Sequence, residues 1–319
     1  MPPRRLKVAF WNVENLFDPA NNVGRGPKDA PELEAKLDRL AACINSFFGE
    51  GEPPDLLALA EVNTVDLLNR LGSKLVKGPY RILWEKPGKH DQTGLGVLAR
   101  DPIVNLEIVD AQRPLASARP RCLILRCALI GDISFVFVVN HWKSQLPSPD
   151  GKLASDADRK ETALWLRDTL DELEDKCILL IGDFNAEPME MYFDTLHLPC
   201  FRHFSKVILG NSKVFYNTAW RYLAEPFYWE EWASNPKLKE PRPKRTHSGG
   251  FVIWDQLMVS AGALKDGPIK LLEKTVRYYI SHFNARHNKN GVLEPMRWTD
   301  GEVIGASDHF PLLAEFEIL

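Results

Sequence analysis

Apolar and polar positions change their spacing several times along the chain, and each change marks an element. Residues 6–13 are rich in β-forming side chains and predict a first strand. A loop rich in Asn, Gly and Pro runs from Asp18 to Pro31. Beyond it, Leu33, Leu37, Leu40, Ala41, Ile44, Phe47 and Phe48 fall on one stripe of a helix over 32–48, which Pro53-Pro54 breaks. Asp55 to Glu61 is a short apolar run that closes on an acid, the pattern of a buried strand. Residues 64–76 predict a second helix with Thr64 as its N-cap.

The period then shortens. Residues 80–85, 94–100, 103–109, 121–130 and 133–140 read as successive strands punctuated by Pro, Gly and Asp. A long amphipathic helix over 154–174 sets Ala163, Leu164, Leu166, Leu170 and Leu173 against Asp158, Arg159, Lys160, Asp171 and Glu174. Strands follow at 177–181, 252–260 and 311–318. Strands outnumber helices and the helices are well separated, so the expected class is α+β, with two sheets packed face to face and helices outside. No composition shift splits the chain, and 1–319 is expected to form a single domain. The aromatic and proline-rich stretch 198–250 is expected to be an irregular insertion on one face.

Polar residues recur at the ends of the apolar runs. Asn12 and Glu14 follow the first strand, and Glu61 ends the second. His141 follows Phe135 to Asn140, and Asp183 and Asn185 follow Ile178 to Gly182. Asp255 sits between two apolar triplets, and Asp308-His309 precede the last strand. Taken singly, each also suits a turn or cap. Their recurrence at matching structural positions instead points to one edge where a site is built. The carboxylate and amide oxygens of Glu61, Asp183, Asp308, Asn12 and Asn185 are hard ligands suited to Mg2+, with Mn2+ an alternative. Two histidines beside them suit proton transfer and stabilisation of a phosphoryl group. Together these groups fit hydrolysis of a phosphate ester by activated water.

Composition narrows the partners. The chain has 319 residues, 45% of them hydrophobic and 26% charged, with 40 Lys+Arg against 43 Asp+Glu and a net charge of −3. That excludes a mainly disordered chain and a bulk polycation. Nucleic-acid contact would need local patches and bound metal. Five cysteines without a C-x-x-C pair argue against structural zinc and a full disulfide framework, and fit buried thiols in a reducing compartment. No apolar run is long enough for a transmembrane helix, and the run after Arg5 is too short for a secretory leader. A cytoplasmic protein with no membrane insertion is expected.

Six segments in order and spacing resemble the endonuclease/exonuclease/phosphatase superfamily. They are Trp11 to Phe17, Ala60-Glu61-Val62, Asn140-His141-Trp142-Lys143-Ser144, Gly182 to Pro188, Trp254 to Ser260 and Ser307 to Leu312. The resemblance runs over roughly 5–319, and its Asn-His-Trp-Lys-Ser form looks like a bacterial branch. It implies a four-layer α/β/β/α sandwich. It also implies roles: Glu61 as the main Mg2+ ligand, with Asn12 and Asp308 near the same or a second ion. Asp183 would position or activate the attacking water, and Asn185 would hold that water or a phosphate oxygen. His309 would be the general acid/base oriented by Asp255, and His141 would contact the scissile phosphate. Ala60, where Gln often precedes the glutamate, and Trp254, where an aliphatic residue often precedes the aspartate, depart from the pattern without removing a reactive group.

Arg119 and Lys143 are candidate phosphate contacts, Arg159 could reach the site edge, and Glu14 reads as a supporting residue. Phe227, Tyr228, Trp229 and Trp232 stand before Lys237, Lys239, Arg242, Lys244 and Arg245. Aromatics beside a basic run offer base stacking and phosphate pairing, which places Lys244 and Arg245 among the substrate-binding candidates. The expected function is a metal-dependent nuclease cutting DNA or RNA phosphodiesters. The alternatives are a phosphatase or phosphodiesterase for a small or lipid-linked phosphate, and an inactive binding member.

Overall fold

The computed structural model describes residues 4–21, 26–86, 92–109, 121–131, 133–145, 152–209, 214–224, 252–287, 293–298 and 305–319. Its first half runs β1 (Arg5–Leu16), α1 (Ala30–Ile44), β2 (Leu56–Val62), α2 (Val65–Lys74), β3 (Arg81–Glu85), β4 (Gly94–Ala99), β5 (Ile103–Ile108), β6 (Cys122–Leu129) and β7 (Ile133–His141). Then come α3 (Lys152–Glu172), β8 (Ile178–Asp183), β9 (Cys200–Phe201), α4 (Phe204–Ile208), β10 (Phe215–Asn217), α5 (Trp220–Ala224) and β11 (Asp255–Ser260). Short strands β12 (Ile269–Leu271), β13 (Arg277–Tyr278), β14 (Ala285–His287) and β15 (Leu293–Pro295) lead to β16 (Leu312–Ile318).

Two mixed sheets result. The first has the order β12-β16-β1-β2-β4-β3, with β13 also on β16; the second has the order β5-β6-β7-β8-β11-β10-β9. In each, one parallel pair sits near the centre: β1 with β2, and β7 with β8. The sheets pack face to face through one apolar cluster. Leu6, Val8 and Phe10 of β1 meet Phe135, Phe137 and Val139 of β7, Leu179 and Ile181 of β8, and Leu257 and Val259 of β11. On the far face of the first sheet, Ala9, Trp11, Leu57 and Leu59 pack under Leu33, Leu37, Leu40 of α1 and Leu67, Leu68, Leu71 of α2. On the far face of the second, Val136, Val138, Ile178 and Leu180 pack under Ala163, Leu166 and Leu170 of α3. This is the expected α+β sandwich, layered α/β/β/α.

Local chemistry sets several boundaries. Asp29 caps α1 by accepting from Glu32 N, and the helix stops at Asn45, so Phe47 and Phe48 lie beyond it rather than on its last turn. Thr64 caps α2 as expected, accepting from Leu67 N. All five cysteines are buried free thiols. Among the described residues no helix is long and apolar enough to cross a membrane.

One expectation is corrected in part. Residues 198–224 are not surface decoration, because β10 pairs antiparallel with β11 and β9 pairs parallel with β10, extending the second sheet. Strands of two and three residues are too short for period-2 alternation to register in sequence. The aromatic and basic part of that stretch, including Lys244 and Arg245, lies outside the described residues, as does Arg119.

Candidate active site

The inter-sheet face alternates with period 2, and the site is its continuation. On β7, residues 135, 137 and 139 are core and the next same-face position is His141. On β8, 179 and 181 lead to Asp183, and on β11, 259 and 257 lead back to Asp255. Register aligns these three, since Asp183 pairs with His141 on one side and with Asp255 on the other. On β1, residues 6, 8 and 10 lead to Asn12. The apolar rungs thus end in polar ones where the sandwich meets solvent.

Glu61 breaks the alternation. On β2 the core-facing residues are Leu56, Ala58 and Ala60, so simple alternation sends Glu61 to the helix side. A register shift between Ala60 and Val62, with φ of +65° at Glu61, redirects the carboxylate. Its Oε1 then lies 3.1 Å from Asn12 Nδ2 and 3.6 Å from His141 Nε2, while Oε2 accepts from Asn15 N at 2.8 Å.

Asp255 Oδ2 lies 2.8 Å from His309 Nδ1 in a fully buried setting. The carboxylate fixes Nδ1 as the donor, so Nε2 is left to face Asp183 Oδ2 at 3.8 Å and Asp308 Oδ1 at 3.8 Å. The histidine's backbone is also held: Trp11 Nε1 donates to His309 O at 2.9 Å, and His309 N donates to Ser307 Oγ at 3.1 Å. Ser307 Oγ in turn donates to Asn12 O at 2.5 Å.

The two histidines are pushed in opposite directions. For His309, burial disfavours the charged form, yet Asp255, Asp183 and Asp308 outweigh it and hold the imidazole well above its usual range. For His141, burial dominates and lowers the value despite Glu61 and Asp183. One imidazole therefore favours its cation and the other its neutral form, the separation that acid/base assignments need.

Asn12, Glu61, His141, Asp183, Asp255, Asp308 and His309 are brought together at this edge. Asn12 presents its nitrogen, not its oxygen, to the acids: Oδ1 accepts from Glu14 N at 3.1 Å, and Nδ2 donates to Glu61 and to Asp183 Oδ2 at 3.2 Å. Asn185 lies beside the group, with its backbone N donating to Asp183 Oδ1 at 2.9 Å and its Nδ2 to Trp142 O at 3.1 Å. Lys143 is partly buried, and its carbonyl is held by Arg159 NH1 at 2.9 Å. Arg159 itself is fully buried and paired with Asp156, so it braces the Lys143 loop rather than reaching the site edge.

Three contributors escaped the sequence reading in whole or part. Glu14 accepts from Arg297 Nε at 3.0 Å and from Trp298 N at 2.9 Å. Arg297 NH2 also lies 3.5 Å from Asp308 Oδ2. Lys36 of α1 is wholly buried; its Nζ donates to Glu14 O and lies 5.3 Å from the Trp298 ring centroid. Burial lowers the Lys36 amine to about 8, against the pull of Glu14, Glu61 and Asp308. Lys36 carried a signal, because it falls between Leu33 and Leu40 on the apolar stripe of α1, where a lysine needs a partner. Arg297 stands in no pattern.

Two groupings could attract a hard cation. Asp183, Asp255 and His309 offer atoms within 4.8 Å of one another, but Asp255 Oδ2 and His309 Nδ1 already satisfy each other there. Glu61 and Asp183 form the other: among the described residues neither pairs with a lysine or arginine, only with histidines. Glu61 is also the more open, its side chain 22% exposed. One buried and one half-buried carboxylate that no lysine or arginine pairs among the described residues fit a divalent ion.

The family model described as the Endonuclease/Exonuclease/phosphatase family matches residues 7–220. The chain belongs to this family. No curated protein sequence matches it. Among solved structures, an endonuclease/exonuclease/phosphatase family protein from Bacteroides thetaiotaomicron is similar at a TM-score of 0.54 and 15% identity, covering 99% of each chain. Truncated TDP2 from Caenorhabditis elegans gives 0.53 and 15%, covering 98% of each chain. The human Nocturnin catalytic domain with bound sulfate also gives 0.53 and 15%, covering 99% of this chain and 95% of that one. At such identities the likeness is one of fold, and the family's name spans enzymes that hydrolyse phosphoesters.

Proposed function

We propose that this family member is a divalent-metal-dependent phosphoester hydrolase that cuts nucleic-acid phosphodiesters. The observation that carries the reading is the Asp255–His309–Asp183 series facing Glu61 and His141 at one sheet edge. Glu61 and Asp183 would hold Mg2+ or Mn2+, which supplies Lewis-acid stabilisation of charge on the phosphate oxygens. Asp183 orients the attacking water and takes its proton as the new P–O bond forms in line with the leaving oxygen, whose bond to phosphorus breaks and which picks up a proton from solvent. His309, held protonated by Asp255, offers its Nε2–H to the phosphoryl group as charge develops. His141, neutral in its buried position, donates a hydrogen bond from its ring to the same group. Asn12 spaces Glu61 from Asp183, and Asn185 aligns Asp183 through its backbone N–H. Nucleic acid is favoured as substrate by the aromatic and basic run from Phe227 to Arg245.

The test is incubation of purified protein with plasmid DNA, RNA and bis-p-nitrophenyl phosphate, in Mg2+, Mn2+ or EDTA. The reading expects polynucleotide cleavage that EDTA stops and that His309→Ala abolishes while leaving the circular dichroism spectrum intact. Wild-type turnover in His309→Ala removes the assignment. Hydrolysis of the small diester with both polynucleotides untouched replaces the nuclease by the small-substrate phosphodiesterase.

A further inference from the structure

The acidic edge divides into two halves. Among the described residues, Glu61 and Asp183 form ion pairs only with histidines. Glu14 and Asp308 share a guanidinium, with Arg297 NH2 3.0 Å from Glu14 Oε1 and 3.5 Å from Asp308 Oδ2. Beneath them, Lys36 is buried against the Glu14 carbonyl, and its charge is felt by Glu14, Glu61 and Asp308. Trp298 ties the two cations together: its backbone N donates to Glu14 Oε2, and Lys36 Nζ lies near its ring.

We infer that Arg297 is a resident cation that fills the Asp308 side of this centre and limits it to one divalent ion, on the Glu61 side. The inference rests on the metal-dependent reading above and deepens it. Five carboxylates, Glu14, Glu61, Asp183, Asp255 and Asp308, face Lys36, Arg297 and the His309 cation, so their sum is two negative charges. A single divalent ion brings that to neutral, so an anionic phosphodiester is no longer repelled. A second ion would have to displace a guanidinium already shared between two carboxylates, and would meet it at close range. Arg297 is thus a positioning residue: it holds Asp308 beside His309 and leaves it unavailable as a ligand. Its side chain is 49% exposed, so replacing it opens the Asp308 side to solvent without excavating the core.

Stoichiometry is the direct test, read by Mn2+ electron paramagnetic resonance and by calorimetric titration of Mg2+. The wild type is expected to bind one ion. Glu61→Gln should weaken that ion by at least about 100-fold, whereas Asp308→Asn should change it far less. Arg297→Gln should admit a second ion, and Arg297→Lys, which keeps the charge, should return the count to one. Two ions in the wild type, or one in Arg297→Gln that folds normally, overturn the inference and leave the hydrolase reading standing. If Arg297→Gln does not fold, Asp308→Asn decides: a loss as large as that of Glu61→Gln makes Asp308 a ligand and ends the inference. A wild type that binds no ion ends both.

Discussion

Asp255 works through two atoms. Its Oδ2 sets the tautomer and charge of His309, and its carbonyl accepts from Tyr278 Oη at 2.6 Å. The side chain is thus tuned by charge, while the backbone beneath it is tied to a strand of the other sheet. Asp255→Asn keeps the shape and removes the charge. It is expected to lower kcat by about 100-fold or more, with a thermal midpoint close to wild type; initial rates and a melting curve check both. Lys36 gives a prediction in pH. Its amine titrates near 8 in the fold and near 10.4 in an unfolded chain. Between those values the unfolded chain binds more protons, so stability rises with pH in that window and is lost as pH falls through 8. Lys36→Met has no such group. From pH 7.5 to 9.5 the wild type should therefore gain about 2 kcal/mol relative to Lys36→Met in urea unfolding. Of the site residues, those on strands in phase with the core could be read from the sequence. Asn12, His141, Asp183 and Asp255 are each the next same-face residue after an apolar series. Arg297 could not be read, because its partners are set by tertiary approach of segments 283 residues apart.

At the scale of elements, β8 shows how tightly the edge is drawn. A Cβ on Gly182 would lie 2.1 Å from Asn140 O and 2.7 Å from Asn140 N, all backbone atoms of the neighbouring strand. The backbone there also has φ of +153°, a conformation L side chains rarely adopt. Gly182→Ala must push β7 from β8 where His141 and Asp183 are paired in register. The expected cost is at least about 2 kcal/mol, with hydrolysis falling further than stability alone accounts for; a melting curve paired with a rate measurement separates the two. The long strands and three long helices were legible because each repeats its period several times. The left-handed turn at Glu61 was not, although the acid itself was noticed. Which face it joins depends on one backbone dihedral, and no neighbouring residue type dictates it. The short strands β9, β10, β12 and β13 escaped for a different reason, since they are held by partners rather than by their own pattern.

For the whole molecule, the shared core couples the sheets to the site. Phe137 is fully buried in the inter-sheet cluster, two residues on the same face before Val139 and four before His141. Phe137→Ala is expected to cost about 3–5 kcal/mol. Far-UV ellipticity and phosphoester hydrolysis should then be lost at the same, lower urea concentration. Separate midpoints would mean that one sheet melts without the other. The layered architecture followed from the sequence because helices and strands segregate by period; which edge gathers the polar side chains followed from the polar ends of the runs. The near-neutral charge of the chain gave no hint that buried cations and carboxylates are interleaved at that edge.

The bond from Trp11 to the His309 carbonyl joins residues 298 positions apart. Strand β1 sits between β2 and β16, and β16 follows every other strand among the described residues. On the ribosome, β1 and its Asn12 emerge before β16, so one flank of that strand has no partner until β16 is translated. Glu61, His141 and Asp183 all precede His309 in the sequence. The histidine that Asp255 holds protonated is therefore the last residue of the candidate site to be made, together with the strand that completes the pairing of β1.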